Sequence, residues 1–126
     1  MPYTGQCNCE SIRITLPEKP ANCMLCHCTN CKRAGGGPCS LNYVVDLDDM
    51  SVEDPTGALK IFNDTKSLSG NVAQRHFCSN CGSPVVTKTP GVPGKGFLKA
   101  ALFDSISPPG GHFFEQSKLE WFNAHL

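Results

Sequence analysis

The stretch CMLCHCTNC, residues Cys23–Cys31, places four thiols within nine positions. Thiols packed this closely are typical of a metal site, because one backbone turn can aim several sulfurs at a point about 2.3 Å away, the usual zinc–sulfur bond length. Disulfide partners need Cα atoms roughly 4.4–6.8 Å apart and a fixed torsion, which cysteines one or two residues apart rarely reach. Our working hypothesis is that three of these sulfurs bind zinc and that the fourth position of the metal stays open for chemistry.

The size and charge of the chain limit what the rest of the sequence can do. A length of 126 residues predicts a single domain over residues 1–126, because it supplies one modest core. Eleven basic side chains balance eleven acidic ones, so we expect neither nucleic acid nor a membrane as a partner. The longest apolar runs of the sequence are too short to cross a bilayer.

Whether the nine cysteines form disulfides or bind metal depends on the compartment in which the protein resides. The first residues, MPYTGQC (1–7), lack the basic and apolar regions of a secretory signal. We therefore expect a cytoplasmic protein, whose thiols stay reduced. An odd number of clustered cysteines without such a signal favours metal binding over a disulfide framework.

Alternating polar and apolar residues, β-branched side chains and frequent turn signals predict a mainly β chain with little helix. The predicted strands cover residues 11–16, 41–45, 59–63, 71–77 and 84–88. One short helical turn is predicted at residues 29–34 and a surface loop at 89–96. Phe113, Phe114, Trp121 and Phe122 are expected in the core or as an aromatic wall beside the open zinc. A core this small benefits from metal ions that tie its elements together.

A second set of cysteines lies near the two ends of the chain. Cys7 and Cys9 are two residues apart on a strand, so their side chains point to the same side. Cys78 and Cys81 are followed by Gly82, which can adopt positive φ and close a knuckle with converging sulfurs. These four thiolates form a complete tetrahedral set, which predicts a closed, structural zinc site.

Spacing alone leaves the ligands of the first stretch open. In one reading Cys23, Cys26, Cys28 and Cys31 form another closed four-thiolate site. In the other, the ligands are Cys26, Cys28 and Cys31, and a water or substrate atom completes the coordination. An iron–sulfur cluster fits less well, because the spacing matches neither common ferredoxin pattern.

Three spaced motifs and a tail occur in a recognisable order. They are GQCNC (Gly5–Cys9), CHCTNCK (Cys26–Lys32), RHFCSNCGSP (Arg75–Pro84) and HFFEQSKLEW (His112–Trp121). This order resembles the glutathione-dependent formaldehyde-activating enzyme (Gfa) and centromere protein V family, and the resemblance covers a core of about residues 5–121. Glu10 stands where the family usually has glycine, and Glu120 where it usually has proline.

The resemblance implies a fold, two zinc ions and an activity. The fold is the Mss4-like arrangement of twisted antiparallel sheets around zinc. Cys7, Cys9, Cys78 and Cys81 match the family's structural-zinc motif. Cys26, Cys28 and Cys31 match the catalytic-zinc motif, in which a thiol such as that of glutathione takes the open position. Cys23 falls outside that motif, which favours the open site.

The expected function is therefore that of a zinc-dependent carbon–sulfur lyase, similar to S-(hydroxymethyl)glutathione synthase. Glutathione or another small-molecule thiol would be the co-substrate, and the reaction would make or break an S-hydroxyalkyl or thioether bond. The alternative is a non-catalytic zinc module that binds a protein partner. His27 lies between two predicted ligands. A histidine in such a position more often has a packing role than a role in proton transfer.

Overall fold

The computed structural model describes residues 1–124, which form two β-sheets and, within that range, one α-helix. The strands are β1 (Tyr3–Gln6), β2 (Arg13–Leu16), β3 (Cys23–Cys26), β4 (Ser40–Asp46), β5 (Ser51–Glu53), β6 (Leu59–Asp64), β7 (Ala73–Cys78), β8 (Pro84–Lys88), β9 (Lys95–Lys99) and β10 (Pro109–Phe113). Helix α1 covers Thr29–Gly35, and short 3₁₀ turns cover Leu47–Asp49, Ala100–Leu102 and Glu115–Ser117. The expectation of a mainly β, Mss4-like fold with little helix is confirmed.

The two sheets differ in size and share one core. The smaller has the strand order β1-β2-β5, and the larger has the order β10-β3-β4-β9-β8-β7-β6. Ile14 of β2 and Leu98 of β9 are both fully buried in the same apolar cluster. The cluster therefore joins the sheets, and the alternation that predicted β2 reflects Ile14 and Leu16 facing inwards while Arg13 faces solvent.

The predicted antiparallel arrangement holds for the strand pairs of residues 1–124 apart from β10 and β3, which run parallel. Sequence patterns did not predict either strand: the residues of β3 were interpreted as a metal-binding segment, and Pro109-Gly110-Gly111 of β10 indicated a turn. A Cβ on Gly110 would lie 2.8 Å from Cβ of Asn22, and one on Gly111 would lie 2.8 Å from the methyl carbon of Met24. The two glycines are thus needed for the close approach of β10 to β3.

Aromatic residues near the carboxyl end occupy three different environments. Phe113 and Phe114 are half-buried, and Phe122 packs against the core. Trp121, by contrast, is 75% exposed. The expectation that Trp121 belongs to the core is therefore wrong.

None of the helices of residues 1–124 has the length and apolar character that crossing a membrane requires.

The β1–β2 and β7–β8 turns each contain one residue with positive φ directly after a cysteine. In the first turn, Glu10 adopts φ 65° and donates its N–H to the carbonyl of Cys7 at 3.0 Å. In the second, Gly82 adopts φ 78° and donates to the carbonyl of Cys78 at 2.7 Å. Glycine adopts this left-handed conformation freely, whereas a residue with a Cβ does so at a cost of about 1–2 kcal/mol. The glutamate at position 10 therefore stores strain that glycine would not.

We predict that Glu10→Gly stabilises the fold by ~0.5–1 kcal/mol. It removes the left-handed strain, and the greater freedom of glycine in the unfolded chain offsets part of that gain. Urea unfolding of the metal-loaded protein measures the change. The matched variant Gly82→Ala places a Cβ in the same conformation and is expected to destabilise by ~1–2 kcal/mol. A destabilising Glu10→Gly would show that the glutamate side chain has a compensating role.

Candidate metal centres

The structure brings Cys7, Cys9, Cys78 and Cys81 together, with all four sulfurs within 4.8 Å of one another. The sulfurs of Cys7 and Cys9 are 3.7 Å apart, and those of Cys9 and Cys78 are 3.6 Å apart. Four sulfurs placed tetrahedrally at the usual zinc–sulfur distance are about 3.8 Å apart. The four thiols therefore fit a tetrahedral metal ion that joins the β1–β2 turn to the β7–β8 turn.

Hydroxyl groups beside this first cluster favour thiolates. Ser83 Oγ lies 3.2 Å from Sγ of Cys81, and this hydrogen bond lowers the pKa of Cys81 to about 5. Ser11 Oγ lies 3.2 Å from Sγ of Cys9 and lowers the pKa of Cys9 in the same way. A metal binds the deprotonated sulfur, so these contacts reduce the proton release that binding requires.

The second cluster consists of Cys26, Cys28 and Cys31, whose sulfurs also lie within 4.8 Å of one another. Cys26 ends β3, and Cys28 caps the amino end of α1 by accepting a hydrogen bond from the N–H of Cys31 at 3.2 Å. The Cys26 and Cys31 sulfurs are 3.3 Å apart. A short strand–turn–helix segment thus brings three sulfurs to one point, while a fourth Cys, His, Asp or Glu donor is absent from the group over residues 1–124.

Cys23 lies apart from this second cluster. It is 2% exposed and belongs to the apolar core together with Leu25. Side chains two residues apart on a strand share a face, whereas those three apart do not. Cys23 and Leu25 therefore face the core, and Cys26 faces the other side of β3. Cys39, the remaining thiol, is half-buried and also lies outside both clusters.

Two neighbouring thiols and two nearby cations favour a thiolate at Cys31. Hydrogen bonds with Cys26 and Cys28 lower the pKa of Cys31 to about 2. The positive charges of Lys99 and Arg75 act in the same direction. Both guanidinium Nη atoms of Arg75 lie 3.9 Å from Sγ of Cys31. These neighbours therefore favour the thiolate form of Cys31 over its thiol form.

Arg75 is held in place by a buried carboxylate. Its Nε donates to Asp64 at 2.8 Å, and Nδ2 of Asn30 donates to both oxygens of Asp64 at 2.9 Å. Burial alone would raise the pKa of the Asp64 carboxyl, but the hydrogen bonds from Arg75 and Asn30 bring it below its ordinary value. Because Asn30 belongs to α1, this network attaches the helix that carries Cys31 to strands β6 and β7.

Lys99 is a second cation beside the cluster, and sequence analysis did not single it out. Its Nζ donates to Asn42 Oδ1 at 2.7 Å and to Ser40 Oγ at 3.2 Å. Burial lowers the pKa of Lys99 to about 8. The signal that would have found it is a lysine inside the otherwise apolar run GFLKAALF (96–103), since lysine is seldom buried without a partner.

A cleft of about 330 Å³ opens beside the second cluster, and we call it the apolar cleft. All three cysteines of the cluster line it, together with Asn42, Arg75 and Lys99. Its apolar lining residues are Leu68, Ala73, Val92, Phe97, Phe113 and Phe114. Phe113 and Phe114 thus form part of the aromatic wall that the sequence suggested.

The imidazole of His27 is fully buried away from the apolar cleft. Its Nε2 lies 2.7 Å from Nδ1 of His112 on β10, and its backbone N–H donates to the carbonyl of Phe113 at 3.0 Å. Burial lowers the pKa of His27. These contacts give His27 the packing role, because they attach the turn that carries the ligands to β10.

A comparison with known proteins agrees with this geometry. The sequence profile described as "Glutathione-dependent formaldehyde-activating enzyme" matches residues 2–117. The chain belongs to this family. A Halomonas elongata protein named "Putative glutathione-dependent formaldehyde-activating enzyme" is 28% identical over 124 residues, which cover 93% of this chain and 77% of that protein. The crystal structure of a Rhodobacter sphaeroides protein has a similar fold, with a TM-score of 0.65 and 20% identity over 87% of this chain and 99% of that one.

The geometry predicts how many metal ions each cysteine variant retains. We expect two zinc ions per chain in the unchanged protein, one in Cys28→Ser, and two in Cys23→Ser, because Cys28 lies in a cluster and Cys23 lies in the core. Mass spectrometry of the metal content after gel filtration gives the count. Loss of one zinc from Cys23→Ser would show that the second cluster has four cysteine ligands.

Proposed function

We propose that this chain is a zinc-dependent carbon–sulfur lyase that forms and breaks S-hydroxyalkyl adducts of glutathione. The observation that carries this proposal is a cluster of three thiols, Cys26, Cys28 and Cys31, that lines a cleft large enough for a ligand. Membership of the family supports glutathione as the thiol and an aldehyde as its partner. We expect the reaction in the cytoplasm, where the cluster stays reduced.

The two clusters would have different roles. Cys7, Cys9, Cys78 and Cys81 would hold a zinc ion with four thiolates, which serves the fold. Cys26, Cys28 and Cys31 would hold a second ion with three thiolates. At this position an incoming thiol would lose its proton more readily and become the more nucleophilic thiolate, which is the chemistry that a bound zinc ion would supply.

The residues around the second cluster would orient the reactants and balance charge. In the forward direction, the glutathione sulfur adds to the aldehyde carbon, the carbon–oxygen double bond becomes a single bond, and the proton from the thiol ends on that oxygen. Lys99 carries a positive charge beside the cluster, where negative charge develops on the oxygen. Arg75 offsets the negative charge of the thiolates through its contact with Cys31. In the reverse direction the same groups assist cleavage of the carbon–sulfur bond.

The reaction itself can be measured by exchange NMR. Glutathione and formaldehyde also combine without a catalyst, so catalysis is the increase in the exchange rate between free glutathione and its S-hydroxymethyl adduct above the rate without protein. We expect zinc-loaded protein to raise this rate and Cys28→Ser to reduce the gain at least ~100-fold, because the second metal site is lost. Cys23→Ser is the matched control, since Cys23 lies in the core and outside both clusters, and it should retain the rate. An unchanged rate in Cys28→Ser would exclude this site; no acceleration by the unchanged, fully loaded protein would favour the non-catalytic module.

Lys99 provides a separate test of the charge argument. We predict that Lys99→Met lowers kcat ~10- to 100-fold, because one cation that stabilises the developing oxyanion is removed. Lys95→Met, on the same strand but paired with Asp46 at the surface, should leave kcat unchanged. Metal content and melting temperature, measured in parallel, separate a charge effect from loss of the site. Equal kcat in Lys99→Met and the unchanged protein would contradict the assignment.

A further inference from the structure

Two depressions meet at the second cysteine cluster. The apolar cleft is lined by all three cysteines of the cluster, and a separate groove of about 650 Å³ is lined by one of them, Cys31. Cys31 and Lys99 line both of them. A molecule whose sulfur sits at this cluster can therefore extend in two directions, and the two directions differ in chemistry.

The apolar cleft is much larger than formaldehyde requires. Its volume of about 330 Å³ equals that of about ten water molecules, each with a share of about 30 Å³ in the liquid. A hydroxymethyl group contains one carbon and one oxygen. Phe97, Phe113 and Val92 form aromatic and aliphatic walls. An apolar group that packs against these walls lowers the free energy in proportion to the apolar area that it removes from water.

The groove on the other side, which we call the polar groove, has a different lining. Gln6, Asn8, Arg33, Ser40, Ser83 and Lys99 supply its polar side chains. Two of these are cations, and the lining residues described for the groove include no carboxylate. Glutathione carries two carboxylates and one ammonium group, so its net charge of minus one complements this surface.

We propose that the preferred substrates are glutathione adducts of aldehydes with an apolar chain of about five or more carbons. This proposal rests on the proposed function of the second cluster. The tripeptide lies in the polar groove, the sulfur lies at the cluster, and the apolar chain fills the apolar cleft. The reaction needs no further reactant: the sulfur–carbon bond forms or breaks, and one proton moves between sulfur and oxygen.

The test compares the affinities of two inert thioethers of glutathione for the zinc-loaded protein by isothermal titration calorimetry. S-hexylglutathione should bind about 10- to 100-fold more tightly than S-methylglutathione, because five more methylenes leave water for the apolar cleft. Equal affinities would overturn the inference. Acceleration of adduct formation from formaldehyde, measured on the same sample, would then show that the proposed function itself stands; loss of both would mean that the function fails as well.

Two pairs of variants locate the two ends of the ligand. Leu68 lines the apolar cleft and is 55% exposed, and Ile61 lies outside it with a similar exposure of 50%. Leu68→Asp should lower the ratio of the two affinities at least ~5-fold, and Ile61→Asp should leave it unchanged. Arg33→Gln should weaken both ligands by the same factor of about 3–10, with exposed Arg13→Gln as its control. A ratio that Leu68→Asp does not change would place the hexyl chain elsewhere and contradict the inference.

Discussion

The convergence of three sulfurs beside an accessible cleft is the constraint on which the account depends. Cys26, Cys28 and Cys31 come from one strand–turn–helix segment, so local backbone geometry brings them together. Cys23, only three residues before the first of them, faces the core because the side chains of a strand alternate. The alternation of β3 thus separates a structural thiol from the three that can hold a metal.

The rest of the fold keeps this segment in place. β10 pairs with β3, and His112 on β10 contacts His27 between two of the cluster's cysteines. On the other side, Asp64 joins Asn30 of α1 to Arg75 of β7. The first cluster of cysteines spans 69 positions between Cys9 and Cys78, so a metal there would also restrict the unfolded chain. Long-range contacts therefore support a site whose ligands are close in sequence.

Sequence analysis predicted the parts of the structure that depend on local chemistry. Cysteine spacing separated the thiols of residues 23–31 from those nearer the chain ends, and the family resemblance favoured Cys26, Cys28 and Cys31 over Cys23. Alternation predicted β2, and β-branched and aromatic residues between turn signals predicted β4, β6, β7 and β8 of the larger sheet. The parallel pairing of β10 was missed, because Pro109-Gly110-Gly111 is typical of a turn, and the need for two glycines comes from contacts with Asn22 and Met24 next to them. Lys99 and Asp64 were missed because their importance comes from partners in other strands. The exposure of Trp121 was missed because the apolar residues near the chain end follow no regular period, so their pattern does not indicate which side chains face the core.

X-ray absorption at the zinc edge tests the central claim most directly, because it counts the sulfurs around each metal. One closed and one open site predict an average of about 3.5 sulfurs per zinc, rising to four when glutathione is added. An average of four sulfurs before glutathione is added, or no change on its addition, would contradict the account.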